Sequence, residues 1–133
     1  MRYKFRALDA ASKEWVYGYY VVLDSGYELV DCIWQLGAKL ATPIDYSTLG
    51  QYTGLTDVNG REIYEGDIVS LQNPFDLINY KSLIIFKDGG LCALDGTGEN
   101  YAVRRYRLLD SDLEITVLGN IYEDGHLLKE NEK

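Results

Sequence analysis

A mainly β chain of short strands, closed into a small barrel or sandwich, is what this sequence predicts. Three observations carry that expectation. The first eight residues alternate, with Met1, Tyr3, Phe5 and Ala7 on one face and Arg2, Lys4 and Arg6 on the other, the period-two pattern of a strand. Aromatic and β-branched residues then recur in short runs separated by turn residues at regular spacing, as in small all-β domains. Finally, Asn59-Gly60 and Asp88-Gly89 are pairs that tolerate positive φ and so form tight hairpin turns.

Taken in order, "DAAS" turns the first strand into "SKEWVYGYYVVLD", so residues 1 to 23 predict a hairpin in which Gly18 marks a bulge. In "YELVDCIWQLGAKLA" the residues Leu29, Ile33, Leu36 and Leu40 have helical spacing, but Gly37 and the β-branched content oppose a helix. Residues 27–40 are therefore read as strand, with helix as the alternative. Pro43 disfavours helix just before it and leads into a loop. "EIYEGDIVSLQ" is a strand entered through Gly66, and "SLIIFKDGGLCALD" is a hairpin turning at Asp88-Gly89 or Gly89-Gly90. "DGTGEN" is a loop, "YAVRRYRLL" is strand-like, and "DLEITVLGNIYE" is a strand ending at Gly119. The last residues form a charged tail anchored by Leu127 and Leu128.

Composition excludes several functions. The 133 residues suffice for a core without staples. The net charge of −8 repels phosphate backbones, so general nucleic-acid binding is disfavoured, although an acidic chain could imitate DNA. No apolar run approaches the length of a membrane span, and "MRYKFRALD" lacks the apolar stretch of a secretory signal. Cys32 and Cys92 stand apart, and the single His126 cannot complete a zinc set. The expectation is two free thiols in a reducing cytoplasm, an exposed His126, and no metal or other cofactor.

The acid-rich stretch "QYTGLTDVNGREIYEGDIV" fits neither a metal loop nor a catalytic site. With Gly60 at the sixth position of a calcium loop, Asn59 and Asp57 fit, but Leu55 and Gly66 fall at the two end positions that need acids. Asp57, Glu62, Glu65 and Asp67 have no neighbouring nucleophile, base or oxyanion hole to make them catalytic. Nor is there a phosphate loop, a dinucleotide fingerprint or a nucleophile elbow in the chain. What survives is a turn at Asn59-Gly60 that delivers Ile63, Ile68 and Val69 to the core. A two-residue loop would oppose Asp57 to Glu62, which like charges disfavour, so either the hairpin frays or Asp57 caps the turn. The acids themselves are expected to be solvated.

Two clusters are candidate binding residues. Tyrosine is over-represented, with 12 in 133 residues, and Trp15, Tyr17, Tyr19 and Tyr20 concentrate aromatic surface of the kind enriched at interfaces. Arg104, Arg105 and Arg107 lie among Tyr101 and Tyr106, a composition suited to single-stranded nucleic acid. Strand alternation would split those arginines between two faces, where the many acids pair with them.

The segments "YKFRALD", "TLGQYTGLTDVNGREIYEGDIV" and "VLGNIYED" together resemble the signature of the YopX family, small proteins of phages and prophages of Gram-positive bacteria. Leu8 stands where the family usually has Trp, and "EDGHLL" replaces an ending that usually contains Pro. The resemblance implies a C-terminal SH3-like small barrel whose first strand opens at "EGDIV", following an N-terminal β-hairpin region. The lobes are drawn at residues 1–55 and 56–125, with a charged tail at 126–133. It also implies phage or prophage origin, a host-cell cytoplasm, and no assigned activity or catalytic residue. The function expected is non-catalytic binding, not enzymatic, by a homo-oligomer that engages itself or an unidentified host or phage protein. The alternative is a nucleic-acid-related role, as a binder through the arginine cluster or as a DNA mimic that targets a host enzyme.

Overall fold

The computed structural model describes residues 4–72, 79–87, 90–95, 103–104 and 114–129. The chain divides into two units, residues 1–52 and 53–133, and the boundary falls inside one long strand.

The first unit holds β1 (Phe5–Asp9), β2 (Trp15–Asp24), β3 (Leu29–Trp34) and most of β4 (Thr42–Thr56). β1 pairs with β2, β2 with β3 and β3 with β4, all antiparallel, and β4 returns to pair with β1. The ladder therefore closes on itself as a four-stranded barrel. β4 reaches both neighbours because it runs for 15 residues. Its register against β1 shifts between Arg6 and Leu8. There the Thr48 hydroxyl accepts from the Leu8 amide at 2.8 Å and donates to the Asp45 carbonyl at 2.7 Å, replacing the missing ladder bonds. Ala7, Val16, Ile33 and Ile44 fill the centre, with Phe5, Tyr20 and Leu49 packed against them.

Gly18 is required here for space. A Cβ at this position would lie 2.8 Å from the Trp34 carbonyl carbon and closer still to its oxygen, so only glycine lets β3 cross β2 this closely. The bulge expected at Gly18 is instead a point of close backbone approach. The β1–β2 turn is held by the Asp9 carboxylate, which accepts from the Ala11 and Ser12 amides.

The second unit holds β5 (Glu62–Tyr64), β6 (Asp67–Gln72), β7 (Asn79–Lys87), β8 (Gly90–Asp95), β9 (Val103–Arg104) and β10 (Glu114–Asn120). Two single-turn helices follow, α1 (Ile121–Asp124) and α2 (His126–Lys129). Its sheet is antiparallel and open among the described residues, in the order β10-β6-β7-β8-β9. Ile63, Val69, Leu71, Ile84, Ala93, Ile115 and Val117 form one buried cluster, flanked by Leu55 and Leu91. Asn120 caps α1 by accepting from the Tyr122 and Glu123 amides, and Leu128 of α2 is buried.

Several expectations change. A closed barrel lies in the N-terminal unit, while the C-terminal half, where the SH3-like closure was expected, forms an open sheet among the described residues. The reason is that closure rests on pairing β1 with β4, strands far apart in sequence, whereas turn signals report only local hairpins. The stretch 27–40 is strand, but only over Leu29–Trp34. Pro43 starts a strand and not a loop: it sits second in β4 opposite Cys32, and its carbonyl accepts from the Ala10 amide at 3.0 Å. Ile68 is fully buried but lies outside the cluster that holds Ile63 and Val69, as strand alternation requires of adjacent residues.

Candidate functional site

The acidic stretch is a clasp. Gly60 has φ +78°, and its amide donates to the Asp57 carbonyl at 3.0 Å. One Asp57 oxygen accepts from the Asn59 and Arg61 amides at 2.9 and 2.8 Å. The other accepts from the Val117 amide of β10 at 2.9 Å. Asp57 thus caps the turn, and the expectation that it is solvated fails, because it is buried. Burial pushes its carboxyl up, but the amides of Val117, Arg61 and Asn59 and the Arg61 charge outweigh that and hold it below its ordinary value. Asp67 is buried too and accepts from the Tyr64 amide at 2.7 Å, closing the turn that Gly66 makes at φ +94°. Among the described residues no three His, Cys, Asp or Glu side chains are grouped to hold a metal ion.

The aromatic candidates divide between the two faces of β2. On the inner face Tyr20 is half-buried, stacks at a tilt on Phe5 and Tyr46, and donates a short hydrogen bond to Asp31. That bond, aided by burial, pushes its phenol up to about 12. Tyr20 is thereby tied into the barrel and separated from the other three. On the outer face stand Trp15, Tyr17, Tyr19, Val21 and Leu23. Trp15 is half-buried under the Arg6 guanidinium, whose carbon lies 4.6 Å from the ring centroid, a cation–π distance. Arg6, expected on a polar face, is itself buried.

The register sets β3 beside this stripe, with Trp34 opposite Tyr19, Cys32 opposite Val21 and Val30 opposite Leu23. Tyr17, Tyr19, Leu23 and Trp34 are 43, 44, 42 and 39% exposed. The Trp34 indole N–H is already satisfied by the Ala38 carbonyl at 2.9 Å, so what it offers outward is its ring. No charged residue of β2 or β3 lies on this face. Asp24 and Asp31 fall on the opposite face with Val22 and Leu29. Cys32 is a free, buried thiol, raised by burial and by Asp31.

Beyond Tyr20 the hairpin projects. The β1 ladder on β2 stops at Gly18, and the β4 ladder on β3 starts at Cys32. Among the described residues, 22–24 and 29–31 pair only with each other. Its tip is an Asp24–Glu28 turn, in which Asp24 accepts from the Gly26 amide and Tyr27 is fully exposed.

Trp34, Leu23 and Tyr27 were not singled out from the sequence. The β2 alternation does continue to Leu23, but Trp34 lies in the stretch of mixed helix and strand signals, and its register against Tyr19 is a tertiary fact. Of the arginine cluster, the Arg104 backbone in β9 pairs with Ala93 of β8. Arg105 and Arg107 lie outside the described residues. His126 is exposed at the start of α2. No described helix is long and apolar enough to cross a membrane.

A family model described as "YopX protein" matches residues 4–129. The crystal structure of protein EF1440 from Enterococcus faecalis is similar over 96% of this chain and 98% of that one, at 25% identity and a TM-score of 0.56. The crystal structure of protein yopX from Bacillus subtilis is similar over the same shares, at 18% identity and a TM-score of 0.58. No curated protein matches the chain.

Proposed function

The chain belongs to the YopX family, and on that premise we propose that it is a phage or prophage accessory protein. It works in the host cytoplasm by non-catalytic binding, as a homo-oligomer. One observation carries the reading. Nine of the fourteen exposed large hydrophobic residues among the described ones fall between Tyr17 and Leu40. Exposed apolar residues scattered singly are ordinary, but Tyr17, Tyr19, Leu23 and Trp34 share one face of β2–β3 and so support an interaction site. Tyr and Trp supply much contact area at low entropic cost, which suits recognition by burial.

Light scattering on the full chain from ~1 to ~300 μM, a range in which weak protein pairs assemble, tests the oligomer. The expected result is a mass above the 15.1 kDa of one chain, rising with concentration. A monomer throughout overturns the homo-oligomer.

A further inference from the structure

We propose that the outer face of β2–β3 is where two copies of this chain meet, sheet face against sheet face, about a two-fold axis. The inference rests on the homo-oligomer reading above and names the surface and the occupant.

The argument begins with charge. The chain carries −8, so bringing two copies together is opposed by their net repulsion. An interface between them is best placed where neither copy contributes an acid. The stripe from Tyr17 to Leu23, with Trp34 and Val30 beside it, meets that condition, since β2 and β3 send Asp24 and Asp31 to the other face. Arg6, opposite Tyr17 on β1, is buried, so two copies of this face set no exposed like charges of β2 or β3 against each other across a two-fold contact. A basic partner would be drawn to the acid-bearing face instead.

Size agrees with a second copy. Four side chains about two-fifths exposed, together with their half-buried neighbours, offer roughly 500 Å² per copy, so a pair buries about 1,000 Å², the lower bound of a specific interface. Two aligned sheet faces interdigitate at this scale. The assembly is accordingly reversible, with dissociation at micromolar concentration.

The salt dependence separates this from a charge-driven complex. The contact is apolar and the repulsion is between whole molecules, so screening removes only the opposing force. Association therefore strengthens with salt.

The test is sedimentation or light scattering of the full chain at 50 and 500 mM NaCl, for the wild type, Tyr19→Asp and a charge-matched control, Val58→Asp. Val58 is exposed in the second unit. The wild type is expected to dimerise several-fold more tightly at high salt. Tyr19→Asp should weaken the dimer at least tenfold, and Val58→Asp less than threefold. If circular dichroism shows that Tyr19→Asp has not folded, Leu23→Asp takes its place. A wild type that is monomeric throughout overturns both this inference and the homo-oligomer reading. An oligomer that survives Tyr19→Asp and Leu23→Asp, or that weakens with salt, overturns this inference alone and leaves that reading standing.

Discussion

The two units solve the same problem differently. The first closes four strands into a ring around a small buried cluster, Ala7, Val16, Ile33 and Ile44. The second leaves its sheet open among the described residues but hides a larger cluster of seven side chains. Closure pairs backbone edges without demanding a large core. The first unit can therefore afford aromatic residues on its outer surface. The open sheet instead keeps more of its aliphatic residues inside and ties its turns with the buried carboxylates of Asp57 and Asp67. A ring depends on how closely its backbones approach, and an open sheet on how its core and clasps are filled.

Substitutions can break or sharpen that contrast, and the two tryptophans help. Trp15 and Trp34 both lie in the first unit, so indole fluorescence follows the ring while far-ultraviolet circular dichroism follows both units. The largest effect is expected from Gly18→Val, whose side chain meets the Trp34 carbonyl. A loss of about 4 kcal/mol, seen first in fluorescence during urea unfolding, is the expected outcome. Wild-type stability in this variant would refute the close-approach argument.

Next come Ile63→Ala and Ile33→Ala, both at fully buried positions, each costing about 3 kcal/mol. Ile33→Ala should lower the fluorescence midpoint, and Ile63→Ala chiefly the dichroism midpoint. If both probes move together in both variants, the units unfold as one and the contrast has no energetic meaning.

Asp57→Asn is expected to cost about 2 kcal/mol, because an amide cannot accept at both ends and turns a donor toward a backbone N–H. The pH dependence has a definite sign. Asp57 has a folded pKa below its ordinary 3.8, so its contribution is complete above the ordinary value and is lost as pH falls through the folded one. Acid titration of stability in the wild type should therefore show a loss below about pH 4 that is smaller in Asp57→Asn. The smallest effect is Gly60→Ala. No atom lies near that Cβ, but φ is +78°, so backbone strain alone sets a cost of about 1 kcal/mol.

What could be read from the sequence was what is local. The Asn59-Gly60 turn, the strand entered at Gly66 and the β7–β8 hairpin, paired up to Lys87 with Gly90, each follow from a few adjacent residues. The ring did not, because it depends on Phe5 meeting Gln51. The second Asp57 oxygen finds the Val117 amide across 60 positions, so "Asp in an acidic loop" looked solvated. In the candidate surface, Tyr17 and Tyr19 were visible as aromatic residues in a strand. The separation of Tyr20 follows from alternation, but Tyr20 was grouped with them because all four were read as one cluster. Trp34 could enter only once the β2–β3 register was known.

The Thr48 seam has a consequence for how the protein is made. β1 leaves the ribosome well before β4, yet its closing pairs reach Gly50 and Gln51 of that strand. At ordinary translation speeds that wait lasts roughly 2–9 s, far longer than a hairpin needs to form. The β1–β2 and β2–β3 hairpins can therefore appear and dissolve many times on the nascent chain before the ring has its fourth side. The Leu8 amide goes without its Thr48 partner until then. Whenever those hairpins form before β4 arrives, β1 has an unpaired edge, and β4 has the task of sealing it.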